Sequence, residues 1–279
     1  MDKEKSLTEI QTNIRNGKID LASQQILELA NANSEDPFTL LTCASLLKVI
    51  ENDKAAGIVA ETIVEKVKKS DSLEAAKGLR RIGFPKEAEI LLSNATDSEE
   101  TLRERMLVSF DLGRFEESIS YYEELSDPNL NDTAVMIDSL SASKKHSKAV
   151  DLAKGLLAEA PNDLRVQKCY CSALISAGMQ KDALKFVKDN LKSNKASSDA
   201  DALASYVLWV EGKSTSAGAY ASKAIKADPG NVLAMEILAY SLIEKKKYPE
   251  AKIAAGAINE KEPGNPAVIK ILDLCKGRK

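Results

Sequence analysis

The sequence predicts an all-α repeat protein, a solenoid of antiparallel helix-turn-helix units closed by a helix at the C-terminal end. Three observations predict it. "DPGN" at 228–231 returns as "EPGN" at 262–265, which places Pro229 and Pro263 thirty-four residues apart. Ala149, Ala183, Ala217 and Ala251 follow one another at the same interval of thirty-four. Aromatics make up 5% of the chain and Gly is modest, while Ala, Leu, Lys, Glu and Ser dominate, which favours helix over strand. An interval of this length marks units that cannot bury an apolar face alone and must stack on their neighbours.

Taken in order, the repeats follow a short phrase that ends on a small residue. It reads "RNGKIDLA" (15–22), "VIENDKAA" (49–56), "RIGFPKEA" (81–88), "DLGRFEES" (111–118), "ASKKHSKA" (142–149), "SAGMQKDA" (176–183), "VEGKSTSA" (210–217) and "EKKKYPEA" (244–251), eight repeats in all. Ala22 and Ala56 keep the thirty-four-residue interval, and the intervals through Ala88, Ser118 and Ala149 are two to four residues shorter, which means shorter turns. Before the phrase runs a helical pattern such as "VLAMEILAYSLIEK", apolar at three- and four-residue spacing. Gly17, Gly83, Gly113, Gly178 and Gly212 then break it, since Gly closes a helix in the left-handed conformation. A second amphipathic run follows, and Pro161, Pro229 or Pro263 ends it. Pro37 and Pro128 are expected to do the same near earlier ends. Helices that pack at about 8–10 Å need a small residue where they cross, which the recurring Ala, or Ser118, supplies. The run "NPAVIKILDLCKGRK" reads as a capping helix, with Lys276, Arg278 and Lys279 complementing its C-terminal end. One domain is expected over 1–279: degenerate repeats at 1–129, well-matched repeats at 130–265 and the cap at 266–279. The well-matched repeats are expected to be the more stable.

Composition narrows the function. Formal net charge is −3, unevenly spread: residues 98–163 carry 7 basic and 14 acidic residues, residues 164–279 carry 19 and 12. The start, "MDKEKSLTEI", lacks the apolar core of a signal peptide, and no run approaches a membrane span, so a cytoplasmic protein is expected. Four cysteines make no disulfide framework, and Cys169 and Cys171, two apart on a helix, read as buried free thiols.

Period, layout, small residue after the turn and closing proline together resemble the tetratricopeptide repeat. The mid-helix small residues are Ala44, Ala76, Cys171, Ser205 and Ala239, and the turn aromatics are Phe84, Phe115 and Tyr248. The first-helix Trp of the family signature is absent, and Lys195 stands where the repeat at 164–197 should have its proline. The resemblance implies a right-handed superhelix whose first helices line a concave groove for a peptide or a partner's helix. One family site grips a C-terminal carboxylate with Lys, Arg and Asn. Lys168 and Arg165 stand at its positions here without the Asn, and the neighbouring repeats hold Ala134, Asp138, Ala202 and Tyr206 there. That clamp is therefore not expected.

No catalytic constellation is legible. The single histidine, His146, reads as an exposed turn residue, and no phosphate-binding loop motif occurs. Acidic neighbours such as Glu116–Glu117 splay apart on a helix and make poor acid–base pairs. No cofactor or metal is expected. Nucleic-acid binding is disfavoured by a sequence pI near 5.6. The chain is expected to be a non-catalytic scaffold or adaptor, or else a fixed subunit of an assembly. Its partner is expected on a stripe of Tyr206, Trp209, Tyr240 and Ile243, rimmed by Lys168, Arg165 and Glu244: Tyr206 and Tyr240 are thirty-four residues apart, and Trp209 lies one turn beyond Tyr206.

Overall fold

The computed structural model describes residues 3–194, 197–262 and 265–278, and every regular element in them is helical. The chain divides into two compact units after Gly113, inside the turn of the fourth predicted repeat. The N-terminal unit holds α1 (Lys3–Arg15), α2 (Ile19–Ala32), α3 (Pro37–Val49), α4 (Asp53–Lys66), α5 (Ser72–Arg81), α6 (Pro85–Asn94) and α7 (Glu99–Asp111), with a short 3-10 turn at Lys69–Asp71. The C-terminal unit holds α8 (Phe115–Glu123), α9 (Leu130–Ala142), α10 (His146–Glu159), α11 (Leu164–Ser176), α12 (Gln180–Ser193), α13 (Ser198–Val210), α14 (Ser214–Ala227), α15 (Val232–Glu244), α16 (Tyr248–Lys261) and α17 (Pro266–Cys275).

The eight phrases fall on the connections between odd and even helices. After each first helix one residue takes the left-handed conformation: Gly17, Gly83, Gly113, Gly178 and Gly212, as the sequence predicts, and Glu51, Lys144 and Lys246 where no Gly is available. The next amide reaches back five residues to a helical carbonyl, as from Phe84 N–H to the Leu79 carbonyl at 2.9 Å and from Met179 N–H to the Leu174 carbonyl at 2.8 Å. This satisfies carbonyls the helix end would leave bare. The chain then re-enters a helix in the antiparallel sense.

The small residue follows one turn later. Ala22, Ala56, Ala88, Ala149, Ala183, Ala217 and Ala251 are fully buried, and Ser118 nearly so. Ala44, Ala76, Cys171, Ser205 and Ala239 on the first helices are fully buried too. The small side chains therefore lie where two backbones approach. Ser118 and Ser139, both buried, bond to each other at 3.1 Å, so the polar replacement in α8 is satisfied.

Pro161 and Pro229 follow the ends of α10 and α14, whereas Pro263 and Lys195 lie outside the described residues. Pro37 departs from its expected role. It is the first residue of α3, capped by the Asp36 carboxylate, and so starts a helix rather than ending one. Pro128 lies in the loop before α9. His146 is also not the exposed turn residue expected: it opens α10, half-buried, with Nδ1 enclosed and unbonded.

The two cores differ in continuity. In the N-terminal unit one continuous cluster joins Ile26, Leu40, Leu47, Ile63, Leu79 and Leu91. The C-terminal unit fully buries Ile137, Leu174, Leu203, Ile237, Ile258 and Ile271 among its large side chains. In that unit these fall into several smaller clusters, beside alanines such as Ala149, Ala153, Ala217, Ala221, Ala224 and Ala255. Its cap, α17, buries Ala267, Val268, Ile271 and Cys275 against α15 and α16. Arg278 donates to the Tyr248 hydroxyl at 3.2 Å and lies 5.3 Å from the centre of that ring, tying the end of the chain to α16; Lys279 lies outside the described residues.

Candidate functional site

The first helices of the C-terminal repeats, α9, α11, α13, α15 and α17, pack side by side. Side chains thirty-four residues apart therefore form rows across them. One row reads Ala134, Lys168, Ala202, Glu236, Lys270, and the next reads Asp138, Ser172, Tyr206, Tyr240, Leu274.

Lys168 on α11 passes over α13 and ends 3.6 Å from the Glu236 carboxylate on α15. In a flat layer two helix spacings of about 8–10 Å each would separate α11 from α15. The pair closes because the layer bends toward this face, which makes the face concave. Ala202, fully buried at the same row position of α13, leaves the space beneath it. On its way the Lys168 ammonium lies 5.5 Å from the centre of the Tyr206 ring, a cation–π distance. One turn further along α13, Trp209 stacks on Tyr240 of α15, ring centres 4.8 Å apart and planes 20° from parallel. This offset stack joins successive repeats.

Every member of the aromatic stripe is half-buried. Tyr206, Trp209 and Tyr240 each set one side against the alanine-rich core around Ala217 and Ala221, and Ile243 joins the adjoining core around Ala255. The stripe is both the outer layer of the core and the surface of the concave face. Burial raises the Tyr206 phenol above its ordinary value, only partly opposed by a hydrogen bond with Ser172. Burial likewise pushes Tyr240 to about 12. Both stay neutral and keep a hydroxyl to offer.

Asp138 on α9 faces the same space. Burial raises its carboxyl above the ordinary value, and the positive charges of Lys168 and Lys270 draw it partly back. Arg165 stands apart from the stripe. Its guanidinium pairs with Asp163 at 2.9 Å and approaches Asn131 at 3.4 Å, at the N-terminal edge of α11. The structure thus brings Tyr206, Trp209, Tyr240, Ile243 and Lys168 together, places Arg165 at the rim, and adds Asp138, Glu236 and Lys270. Those three were legible in principle, because Glu236 and Lys270 stand two and three repeat lengths beyond Lys168 and Asp138 stands two before Tyr206.

The cysteines offer little reactivity. Cys43, Cys171 and Cys275 are buried and Cys169 half-buried, all free. Burial pushes Cys43 to about 11 and Cys169 and Cys171 to about 12, so these three stay protonated. Among the described residues no cluster of His, Cys, Asp and Glu could hold a metal ion. No helix there is long and apolar enough to cross a membrane.

No family model and no curated protein matches this sequence. Solved structures do. A tetratricopeptide repeat protein from Parabacteroides merdae superposes with a TM-score of 0.52 and 13% identity, over 86% of this chain and 98% of that one. A thermophilic TPR protein from Thermus thermophilus gives 0.43 and 16%, over 63% and 98%. The TPR domain of P58(IPK) gives 0.34 and 14%, over 99% and 97%. At 13% identity the first likeness concerns architecture alone, and with the eight hairpin turns and the buried small residues it shows that this chain has the tetratricopeptide-repeat fold.

Proposed function

We propose that the protein is a non-catalytic scaffold that holds a partner chain, in extended form, along the concave face of its C-terminal unit. One observation carries the reading. The face presents half-buried aromatic rings, Trp209 on Tyr240 and Tyr206 under Lys168, beside charged groups drawn from several repeats. Amphipathic rings of this kind anchor interfaces, where a few residues supply most of the binding energy. An extended chain suits the face better than a helix. The Lys168–Glu236 pair already spans it, and a helix is about 10–12 Å across with its side chains. The carboxylates of Asp138 and Glu236 make a poor surface for phosphate, which disfavours nucleic acid. Cys43, Cys169 and Cys171, free and kept protonated by burial, fit a reducing compartment such as the cytoplasm.

Trp209 is the only tryptophan and reports on the face directly. Its fluorescence should be partly quenched by acrylamide in the free protein and shielded when a captured partner binds. Trp209→Ala should weaken that binding by about 2 kcal/mol or more while circular dichroism shows the helices retained. A partner whose affinity ignores Trp209→Ala would move the binding surface elsewhere. A chain that is stable only within a larger complex, by light scattering, would favour a fixed structural subunit instead.

A further inference from the structure

Two carboxylates face this concave surface, and one lysine lies between them. Glu236 holds Lys168 at 3.6 Å, longer than the 2.7–2.9 Å or so of a charge-assisted hydrogen bond. Asp138, on the other side of Lys168, has no hydrogen-bond donor among the described residues and feels only the through-space charge of Lys168 and Lys270. A half-buried carboxylate without a donor is costly, and supplying one is favourable. Lys168 is also long, flexible and 36% exposed. Its ammonium above Tyr206 and beside Glu236 marks a place shaped for a cation, which the protein's own side chain occupies.

We infer that this face accepts a basic side chain of the bound chain, arginine in preference to lysine, which takes the place of Lys168 between Glu236 and the Tyr206 ring while Lys168 turns to Asp138. The inference rests on the binding face proposed above. The exchange leaves both carboxylates paired, where the free protein pairs one. A guanidinium suits the vacated place because it bonds a carboxylate with two parallel N–H groups and stacks flat on an aromatic ring. An acidic side chain would instead bring a third carboxylate to Asp138 and Glu236. The polarity is thus opposite to the carboxylate-gripping site implied by the family resemblance, in keeping with the missing Asn.

The test is a selection of random heptapeptides on the full chain, followed by titration of the selected peptides, tri-arginine and tri-glutamate with Trp209 fluorescence as the readout. Peptides whose binding is lost in Trp209→Ala should be rich in arginine, and arginine amide should compete with them. Their affinity should fall about tenfold or more in Asp138→Asn and in Glu236→Gln. In a Lys168→Met background Asp138→Asn should lose its effect, because Asp138 contributes only through the lysine that turns to it. Circular dichroism establishes that each variant is folded, and the arginine-amide competition on the unaltered chain needs no variant. Trp209-dependent peptides that are acidic or uncharged, or that bind Asp138→Asn and Glu236→Gln as well as the parent chain, would overturn this inference and leave the binding face standing. Finding no Trp209-dependent peptide would remove the face itself.

Discussion

At the residue scale the hairpin turns expose a strain that the sequence conceals. Five use Gly in the left-handed conformation, while Glu51, Lys144 and Lys246 adopt it with φ near +60°. A side chain there costs about 1–2 kcal/mol through contact of Cβ with the carbonyl oxygen, partly offset by the entropy Gly loses on folding. Lys144→Gly and Lys246→Gly should therefore each stabilise the protein by about 0.5–1 kcal/mol, read as a higher denaturation midpoint; a lower one would mean these side chains stabilise the turn. Asp36 supplies a pH-dependent counterpart. It caps α3 by accepting from the Phe38 and Thr39 amides at 3.1 and 3.3 Å and pairs with Lys3. The hydrogen bond from Lys3 leads in lowering its carboxyl to about 2. An unfolded Asp titrates near 3.9, roughly, so the stabilisation is present above that pH and lost as pH falls toward 2. Asp36→Asn should flatten the melting temperature across this window, and an unchanged acid slope would place the sensitivity elsewhere. Asp36→Ala should cost about 1 kcal/mol at neutral pH through the lost cap.

At the element scale the repeat is fixed by where its helices touch. Ala183 and Ala217 are fully buried at the start of α12 and α14, and α13 and α14 pack closely along their length. Ala217→Leu and Ala183→Leu force added side-chain volume between backbones and should each destabilise by about 1–3 kcal/mol or more. An unaltered melting temperature in both would remove the hairpin register. The register was legible in the sequence because a crossing tolerates few residue types, so Ala recurs at the helical-repeat interval. Pro37 was misread because its punctuation is ambiguous. Proline after a helix and proline at the first position of the next look alike until the capping Asp36 is placed.

At the scale of the whole molecule, match to the repeat pattern and packing part company. The degenerate N-terminal repeats join Ile26, Leu47, Ile63 and Leu91 in one continuous core, while the regular C-terminal repeats divide theirs into smaller clusters around residues such as Ile137, Leu203, Ile237 and Ile258. A continuous core couples the opening of each hairpin to its neighbours, whereas separate clusters can open one at a time. The slowest amide exchange should accordingly lie in residues 26–92, the reverse of what regularity alone implies. Leu47→Ala should cost about 2–5 kcal/mol. Slower exchange in residues 200–260 would show that continuity of the core does not set local stability.

The sequence by itself determined the helical class, the eight turns, the small residues at the crossings and the stripe from Tyr206 to Ile243. All of these are local or strictly periodic, and a thirty-four-residue period carries a position in one repeat to its equivalent in the next. Only the tertiary structure decided how the rows bend toward one another. That bend brings Lys168 to Glu236 across a third helix, with Ala202 beneath, and leaves Asp138 without a donor among the described residues. The approach of side chains sixty-eight residues apart depends on the summed tilt of every packed pair between them, a quantity that no single stretch of sequence contains.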